Sequence, residues 1–467
     1  MLFNSLEFFG FLIVVFAVYW LLCLRPKVQN VLVLVSSYYF YSCWDWRFLL
    51  LIFISSLTDF IVGRKIHSSS EPKLRKLWLG LSLFVNLGAL AYFKYCNFFI
   101  ETANVGLSSF GLETSVSSLN IILPVGISFY TFQTLSYTID IYRKRLVPSS
   151  DPVQFFAFVS FFPQLVAGPI ERASNLLPQF SAKRTFDIGL ATSGMRLIIW
   201  GLFKKMVIAD RVAELVDIIF SNPDQANSTI AMLGGVLFAY QVYCDFSGYS
   251  DIAIGTARLF GFRLMRNFMT PFHAKSMTEL WQRWHISLST WFRDYLYIPL
   301  GGSRTTKARW AFNLLATFTI SGLWHGADFH YVLWGFLCGL PLVVERLLNL
   351  KRLGILYSFG LFSLLLIMFR SDGISSAMLL YERLFQFNFG GLDLLTSNSE
   401  YFENVYYTLG LMSLFAMIEV WLGKRDFDKA ISVIRMPLRW LSYYALVLII
   451  LLFGVMDNAP RFIYFQF

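Results

Sequence analysis

The sequence predicts an all-α protein that crosses a membrane many times. Of its 467 residues 56% are hydrophobic and only 15% are charged, and the mean hydropathy is +0.57. A soluble chain of this length carries about 25% charged residues, so too few charges are present to cover a surface in water. Apolar runs of about 20 residues, long enough to cross a bilayer as helices, recur from end to end. Together these features argue against the alternative of a large soluble helical enzyme.

The predicted spans follow the apolar runs in order. No basic residues precede the first run, so we expect a retained span and not a cleaved signal peptide. Residues 153–168 are apolar but contain Phe162-Pro163 and end in Gly168-Pro169, which is typical of a broken or re-entrant helix. No repeat divides the chain, so we expect one membrane domain, 1–467, with about 11–13 spanning or re-entrant helices. The other predicted spans are 8–24, 28–44, 47–63, 77–93, 120–140, 188–203, 229–244, 310–324, 329–348, 354–370, 404–422 and 438–455.

The charge pattern predicts the orientation of the chain. The net charge is +10, but the basic residues form short clusters between apolar runs, which favours loop anchoring over nucleic-acid binding. The basic loops at 63–76 and 143–145 fall on the same side of the predicted spans. The loop between them contains Glu101 and Glu113 and no Lys or Arg. We therefore expect the basic loops in the cytoplasm and the N-terminus on the extracytoplasmic side.

The cysteines predict neither disulfides nor a structural zinc site. Their number is odd and they form no CxxC pair, so we expect packing residues and no metal. They are Cys23, Cys43, Cys96, Cys244 and Cys338.

One segment, 274–302, is too polar to cross a bilayer. Ser276 and Glu279 have the spacing of a capping box, which marks the start of a helix. We therefore predict an amphipathic helix that lies at the membrane surface or over the mouth of a cavity, and that ends at Pro299. Its aromatic and apolar face repeats every three to four residues, at Trp281, Trp284, Leu288, Trp291 and Tyr295.

Two groups of polar residues interrupt apolar runs. In 124–143 the polar side chains are mostly hydroxyls, which in membrane helices commonly hydrogen-bond to neighbouring helices. In "YQVYCDFSGYSDIAIG", Asp245 and Asp251 flank Tyr249. These carboxylates are either loop residues at the end of a span or intramembrane groups that need a partner or a wet cavity. No glycine-rich stretch has the GK[ST] ending of a phosphate-binding loop.

The histidines are the clearest candidates for chemistry. The chain has five, and "SGLWHGADFHYVLWG" contains His325 and His330 beside an apolar run. An ionisable residue in a membrane segment indicates a functional site by default. A neutral imidazole can take a proton from a hydroxyl that attacks an acyl carbon, and a site without bulk water protects an activated acyl donor from hydrolysis. For His330 near an interface, and for His285 among tryptophans, a packing role is the alternative.

At these residues the chain resembles the membrane-bound O-acyltransferase family, in particular its bacterial branch involved in alginate O-acetylation. The resemblance extends over nearly the whole chain. It rests on "LPVGISFYTFQTLSYTIDIYR", "LVAGPIERAS", "YCDFSGYSDIAIG", "LWQRWHISLSTWFRDYLYIPLGG", "SGLWHGADFHYVLWG" and the final "FIYFQF". The resemblance implies a ring of tilted helices around a thinned core with a central tunnel, which the acyl donor enters from the cytoplasm and the acceptor from outside.

The resemblance also implies roles for individual residues. His325 matches the invariant histidine of the family, so it is the expected catalytic base, and His285 matches the second histidine region. Trp324, Asp245, Tyr249 and Asp251 are expected to contact substrate or shape the tunnel. Arg283 and Arg293, with Arg304, are expected at the cytoplasmic mouth, where they attract the phosphates of coenzyme A. These positions all lie within the quoted motifs, except Arg304, which lies two residues after the end of one of them.

The expected activity is transfer of an acetyl group from cytoplasmic acetyl-CoA across a bacterial inner membrane, with no bound cofactor. The acceptor is an exported polysaccharide such as alginate or cellulose, reached directly or through an extracytoplasmic acetyltransferase. The same fold also supports D-alanyl transfer to teichoic acids and acylation of lipids or proteins. A non-enzymatic transporter of polysaccharide or lipid is the alternative from another class. Transporters often contain paired halves, and none is visible in this sequence.

Overall fold

A computed structural model describes residues 1–112, 116–166, 168–396, 399–456, 460, 462 and 463. Within these residues the regular elements are helices, and no β-strand occurs. The helices are α1 Leu6–Leu21, α2 Pro26–Asp45, α3 Leu49–Ser68, α4 Pro72–Leu90, α5 Cys96–Ser109, α6 Ile127–Tyr142, α7 Pro152–Ser160, α8 Phe162–Leu165, α9 Ala173–Ser181, α10 Ile188–Leu202, α11 Asp210–Ser221, α12 Ser228–Leu259, α13 Met277–Arg283, α14 Ile286–Phe292, α15 Lys307–His325, α16 Phe329–Leu347, α17 Ile355–Arg370, α18 Gly373–Phe385, α19 Asp393–Thr396, α20 Ser399–Leu422, α21 Phe427–Ser432 and α22 Met436–Phe453.

Several of these helices are suited to a membrane. In the part of the chain that the structure describes, five helical stretches are long and apolar enough to cross a bilayer. They are Pro26–Ser68, Pro72–Ser109, Ser228–Leu259, Asn404–Leu422 and Met436–Phe453. Shorter apolar helices are Leu6–Leu21, Pro152–Leu165 and Ile355–Arg370. The all-α, multi-pass class is confirmed, whereas the number of spans and the side of the N-terminus stay predictions.

The described residues form two compact units, of which the first comprises Met1–Ala191 and Thr256–Met265. A polar cluster joins α3 to α4 in its interior. Ser82 donates to the carboxylate of Asp59 at 2.5 Å, and Asn86 donates to the same carboxylate at 2.8 Å. The predicted broken helix is also in this unit and is confirmed, because α7 ends at Ser160 and α8 begins at Phe162. The prediction of one domain, 1–467, stays a prediction.

The second unit comprises Thr192–Gly255 and Arg266–Phe467. It contains α15 and α16, which pack directly against each other. The bounds of these two helices lie within about three residues of the predicted spans 310–324 and 329–348. α12 runs to Leu259 and not to the predicted residue 244, so Asp245 and Asp251 lie on a helix and not in a loop.

The prediction of one helix across 274–302 is wrong. Ser276 does begin a helix, since its hydroxyl accepts from the backbone N–H of Glu279 at 3.1 Å. However, α13 ends at Arg283, and α14 begins at Ile286. Between them His285 has φ +42°, the left-handed region that side chains other than glycine rarely adopt. The continuous amphipathic pattern conceals this break because tertiary contacts, and not local preference, hold it.

Candidate active site

One cavity in the second unit brings His285 and His325 together. It has a volume of about 740 Å³ and lies between α13 and α14 on one side and α15 and α16 on the other. His285 enters its wall from the break between α13 and α14, and His325 from the last residue of α15. Aromatic and hydroxyl side chains form much of the remaining wall, including Trp281, Trp284, Trp310, Phe318, Ser289, Thr290, Thr317 and Ser321.

His325 is held among aromatic rings. Its ring centroid lies 4.9 Å from that of Trp324, 5.2 Å from that of Trp334 and 5.5 Å from that of Phe369, all at steep interplanar angles. The residue is only 6% exposed. Edge-to-face packing of this kind restricts the ring, so these three neighbouring rings fix the orientation of the His325 imidazole.

The close approach of α15 to α16 places His325. A Cβ atom at Gly322 would lie 2.9 Å from the Cα of Gly335, and one at Gly335 would lie 2.8 Å from the Cα of Gly322. Backbone atoms cannot yield as a side chain can, so the two helices approach this closely only because both residues are glycine. Gly322 lies one turn before His325, so this contact sets the position of the histidine.

We expect Gly322→Ala to lower the free energy of unfolding by about 1–3 kcal/mol, as overpacking of a filled interior does. It should also reduce acyl transfer, because the end of α15 must shift. Thermal unfolding in detergent and an acyl-transfer assay measure the two effects. Gly360→Ala is the matched control, since a Cβ atom there meets nothing within 4 Å. Equal behaviour of the two variants would contradict the packing argument.

His285 is more deeply buried, with 1% of its surface exposed. Its ring stands edge-on to Phe246, with centroids 4.6 Å apart and an interplanar angle of 87°, and its centroid lies 6.2 Å from that of Trp324. Burial lowers the pKa of His285 well below its ordinary value, and repulsion from His325 lowers the pKa further. The ring is therefore neutral at physiological pH, the form that can accept a proton.

The cavity has a polar, basic end. Arg293, Arg346 and Lys351 line it and are exposed, whereas both histidines are buried. The guanidinium of Arg346 lies 4.3 Å from the centroid of the Trp310 ring. The cations therefore mark the open side of the cavity and the histidines its closed side. This arrangement suits a ligand with an anionic portion outside and a reactive portion inside.

Asp245, Asp251 and Tyr249 are in a buried ionic cluster and are not among the described residues that line the cavity. Lys205 contacts Asp245 at 2.8 Å and Asp210 at 2.6 Å, and its ammonium lies 5.5 Å from the centroid of the Tyr249 ring. Lys204 contacts Asp251 at 2.7 Å. These contacts give Asp245 and Asp251 the partners that buried carboxylates require. A role in substrate binding stays a prediction for all three.

Of the other predicted site residues, only Arg293 is among the described residues that line the cavity. Arg283 is instead buried and donates to Glu279 at 2.5 Å and to the carbonyl of Thr270 at 3.3 Å. Trp324 contacts both histidines through its ring but is not among the described residues that line the cavity. His330 has a capping partner, Asp328, which accepts from its backbone N–H at 2.9 Å. The roles of these residues stay predictions.

Sequence reasoning missed several residues of the site. Glu345 lines the cavity and accepts from the backbone N–H groups of Met277 at 2.6 Å and Thr278 at 3.0 Å, so it caps α13. Arg346 and Lys351 were missed as well. Charges at the end of the apolar run 329–348 were the available signal. Lys204 and Lys205, which interrupt another apolar region, were a similar signal for the ionic cluster.

Nothing among the described residues resembles a metal site, since no three His, Cys, Asp or Glu side chains are placed to hold an ion. The absence of a bound cofactor stays a prediction. The final "FIYFQF" motif lies outside the described residues except for Phe462 and Ile463. The backbone N–H of Ile463 donates to Asp245 at 2.8 Å, so this part of the motif contacts the ionic cluster.

Comparison with known proteins identifies the family. The model of the membrane-bound O-acyltransferase family matches residues 100–350. A probable alginate O-acetylase AlgI of Pseudomonas aeruginosa is 40% identical over 398 residues, 83% of this chain and 75% of the relative. A peptidoglycan O-acetyltransferase of Helicobacter pylori is 34% identical over 81% of this chain and 78% of its own. A teichoic acid D-alanyltransferase of Bacillus subtilis is 29% identical over 46% of this chain and 57% of its own. The chain therefore belongs to the membrane-bound O-acyltransferase family and is an acyltransferase.

Proposed function

We propose that this protein transfers an acetyl group from acetyl-CoA, through the membrane, to a hydroxyl group of an exported polysaccharide. The observation that carries the proposal is a cavity whose lining combines two buried histidines, at its closed side, with three exposed cations, at its open side. Two relatives that match most of the chain are named for O-acetylation, of alginate and of peptidoglycan. The polysaccharide is alginate, cellulose or a similar polymer.

The donor fits the charge of the cavity. Coenzyme A carries phosphates at one end and the thioester at the other, so Arg293, Arg346 and Lys351 would attract the phosphates while the thioester extends inward. A smaller cavity of about 160 Å³ shares Trp310 and Arg346 with the large one and is also lined by Lys307. Its basic and hydroxyl lining offers further contacts for the nucleotide part of the donor.

The position of the histidines supports a role for both of them in the reaction. His325 takes the proton of the acceptor hydroxyl as the oxygen attacks the acetyl carbon. The carbon–sulfur bond of the thioester then breaks, and the proton passes to the sulfur of coenzyme A. Neutral His285 positions the acetyl group or shares the proton transfer. The aromatic wall excludes bulk water, which would otherwise hydrolyse the thioester.

The orientation completes the proposal. With the basic loops in the cytoplasm of a bacterial cell and the protein in its inner membrane, the donor enters from the cytoplasm and the N-terminus lies outside. The acetyl group passes on the outer side directly to the polymer or to a partner acetyltransferase that carries it there. The hydroxyl that attacks the thioester then belongs to the polymer in the first case and to the partner in the second.

The donor is tested by comparing labelled acetyl-CoA, palmitoyl-CoA and D-alanyl carrier protein with the purified protein in proteoliposomes. We expect acetyl-CoA to be preferred, and Arg346→Gln to raise its KM about tenfold with kcat within a factor of about two, since a lost phosphate contact weakens binding and not chemistry. Arg425→Gln is the matched control, because Arg425 is also exposed and also lies near a tryptophan ring, at 5.9 Å from Trp421.

Preference for palmitoyl-CoA would replace this proposal with lipid or protein acylation, and preference for the carrier protein would replace it with D-alanyl transfer. No transfer from any donor, combined with movement of polysaccharide across the membrane, would favour the transporter. Equal KM values for Arg346→Gln and Arg425→Gln would contradict the contact between Arg346 and the phosphates but not the choice of donor.

A further inference from the structure

The break between α13 and α14 is held from both ends by one non-helical segment, which contains Asn267 and Met269. On the side of α13, the backbone N–H of Met269 donates to the carbonyl of Arg283 at 3.0 Å. On the side of α14, the backbone N–H of Ile286 donates to the carbonyl of Asn267 at 2.8 Å. These two bonds enclose Trp284 and His285, the residues of the break.

The side chain of Asn267 makes two further hydrogen bonds, one to α14 and one to α12. Its amide oxygen accepts from the hydroxyl of Ser287 at 2.6 Å, and its amide nitrogen donates to the hydroxyl of Ser250 at 3.0 Å. The residue is 1% exposed, and Ser250 and Ser287 are equally well buried. Asn267 therefore connects the start of α14 to α12. This contact lies next to His285, whose ring lines the cavity.

Backbone strain makes these contacts necessary. His285 has φ +42°, and a left-handed conformation persists at a non-glycine residue only where the surroundings impose it. The carbonyl of His285 already accepts from the backbone N–H of Ser289 at 2.9 Å, in the first turn of α14. Without a restraint on Ile286 and Ser287, α14 can unwind or extend toward α13, and the ring of His285 turns with it.

We propose that Asn267 is the positioning residue of His285, acting through the backbone of Ile286 and the hydroxyl of Ser287. Asn267 is not among the described residues that line the cavity, so it acts on the reaction through the histidine and not by touching substrate. The kinetic part of this inference rests on the proposed function, whereas the structural part does not.

The kinetic test uses Asn267→Ala in the acetyl-transfer assay. We expect kcat to fall about 10- to 100-fold, the cost of a small misplacement of a reacting group, with KM for acetyl-CoA nearly unchanged. In a His285→Ala background the same substitution should cost nothing further, because the residue acts through His285. Asn313→Ala is the control, since Asn313 is also buried, and its amide donates instead to the carbonyl of Gly302.

A second measurement does not need activity. In protein with ¹³C-labelled histidine, the NMR signal of His285 is identified by its loss in His285→Ala. We expect this signal to move or broaden in Asn267→Ala and, less strongly, in Ser287→Ala, which removes the hydroxyl that donates to Asn267 and leaves the fold. Asn313→Ala should leave the signal in place.

The two measurements separate the proposals. An inactive wild-type protein would contradict the proposed function, while a displaced His285 signal would still support the positioning role. An unchanged His285 signal in Asn267→Ala would overturn that role. Losses that multiply between Asn267→Ala and His285→Ala would overturn it too, because they would mean that Asn267 acts independently of the histidine.

Discussion

His325→Ala is expected to lower kcat for acyl transfer by about 100- to 10,000-fold, the contribution of a positioned general base. The loss arises because His325 and His285 are the imidazoles among the described residues that line the cavity, and an imidazole has an ordinary pKa suited to general base catalysis. The protein should stay folded, since His325 already lies on the wall of a cavity and alanine enlarges that space without stranding a charge.

The measurement is single-turnover transfer of labelled acetyl groups by equal amounts of monodisperse protein. His330→Ala is the matched control, because His330 is also a buried histidine of the same motif but is not among the described residues that line the cavity. Its activity should stay within about threefold of the wild type. Similar losses in the two variants would show that damage to the end of α15, and not a missing base, causes the effect.

The second large effect concerns stability. Lys205→Met should lower the free energy of unfolding by about 3–5 kcal/mol, because it leaves two buried carboxylates without a cation. The side chains of Lys205 and Asp210 are 1% exposed and that of Asp245 is 4% exposed, so water cannot replace the lost contacts. Loss of the monodisperse peak in size-exclusion chromatography, or a lower unfolding temperature in detergent, measures the effect.

The control for this prediction is a surface pair in the same unit. Lys429 lies 3.4 Å from Asp426, and its side chain is 71% exposed, so Lys429→Met should cost at most about 1 kcal/mol. If Asp210→Asn and Asp245→Asn are added to Lys205→Met, the unpaired charges disappear, and part of the stability should return. Equal stability of the two methionine variants would contradict the view that Lys205 stabilises the two buried carboxylates.

The sequence was sufficient to predict the fold class and most of the helices. Apolar runs report burial in lipid or protein directly, so α15 and α16 and the broken region after Pro152 were predicted close to their observed positions. The two histidines were also predictable. Burying an imidazole in an apolar segment costs free energy, so its presence there indicates a functional role. The segment "DFSGYSDIAIG" contains no proline, so the helix can continue through residue 259. The two aspartates in this segment interrupt the apolar run, and the predicted span therefore ended too early.

The break at His285 was not predictable in the same way. The left-handed residue is held by Asn267 and Met269, which contact the chain from outside the segment, and the local pattern of tryptophans reads as continuous. Partners of buried charges were hidden for the same reason. Lys205 and Asp245 are 40 residues apart in the chain, and only the packing of their helices makes them an ion pair. Such contacts are properties of the fold and not of a window of sequence.

We expect the acyl donor to reach His285 and His325 through the cavity between α13–α14 and α15–α16. Ser321 lines that cavity one turn before His325, so the thiol of Ser321→Cys tests it directly. The variant is made with Cys23, Cys43 and Cys96 replaced by serine, and its modification by a thiol reagent is timed with and without a thioether analogue of acetyl-CoA. Ser68→Cys, an exposed position at the end of α3, serves as the control.

We predict that the analogue slows modification of Ser321→Cys at least about tenfold, because a bound ligand excludes the reagent from the cavity. The rate at Ser68→Cys should stay unchanged. If the analogue inhibits acetyl transfer but both thiols react as fast as before, the donor binds elsewhere, and the roles proposed for the two histidines are wrong.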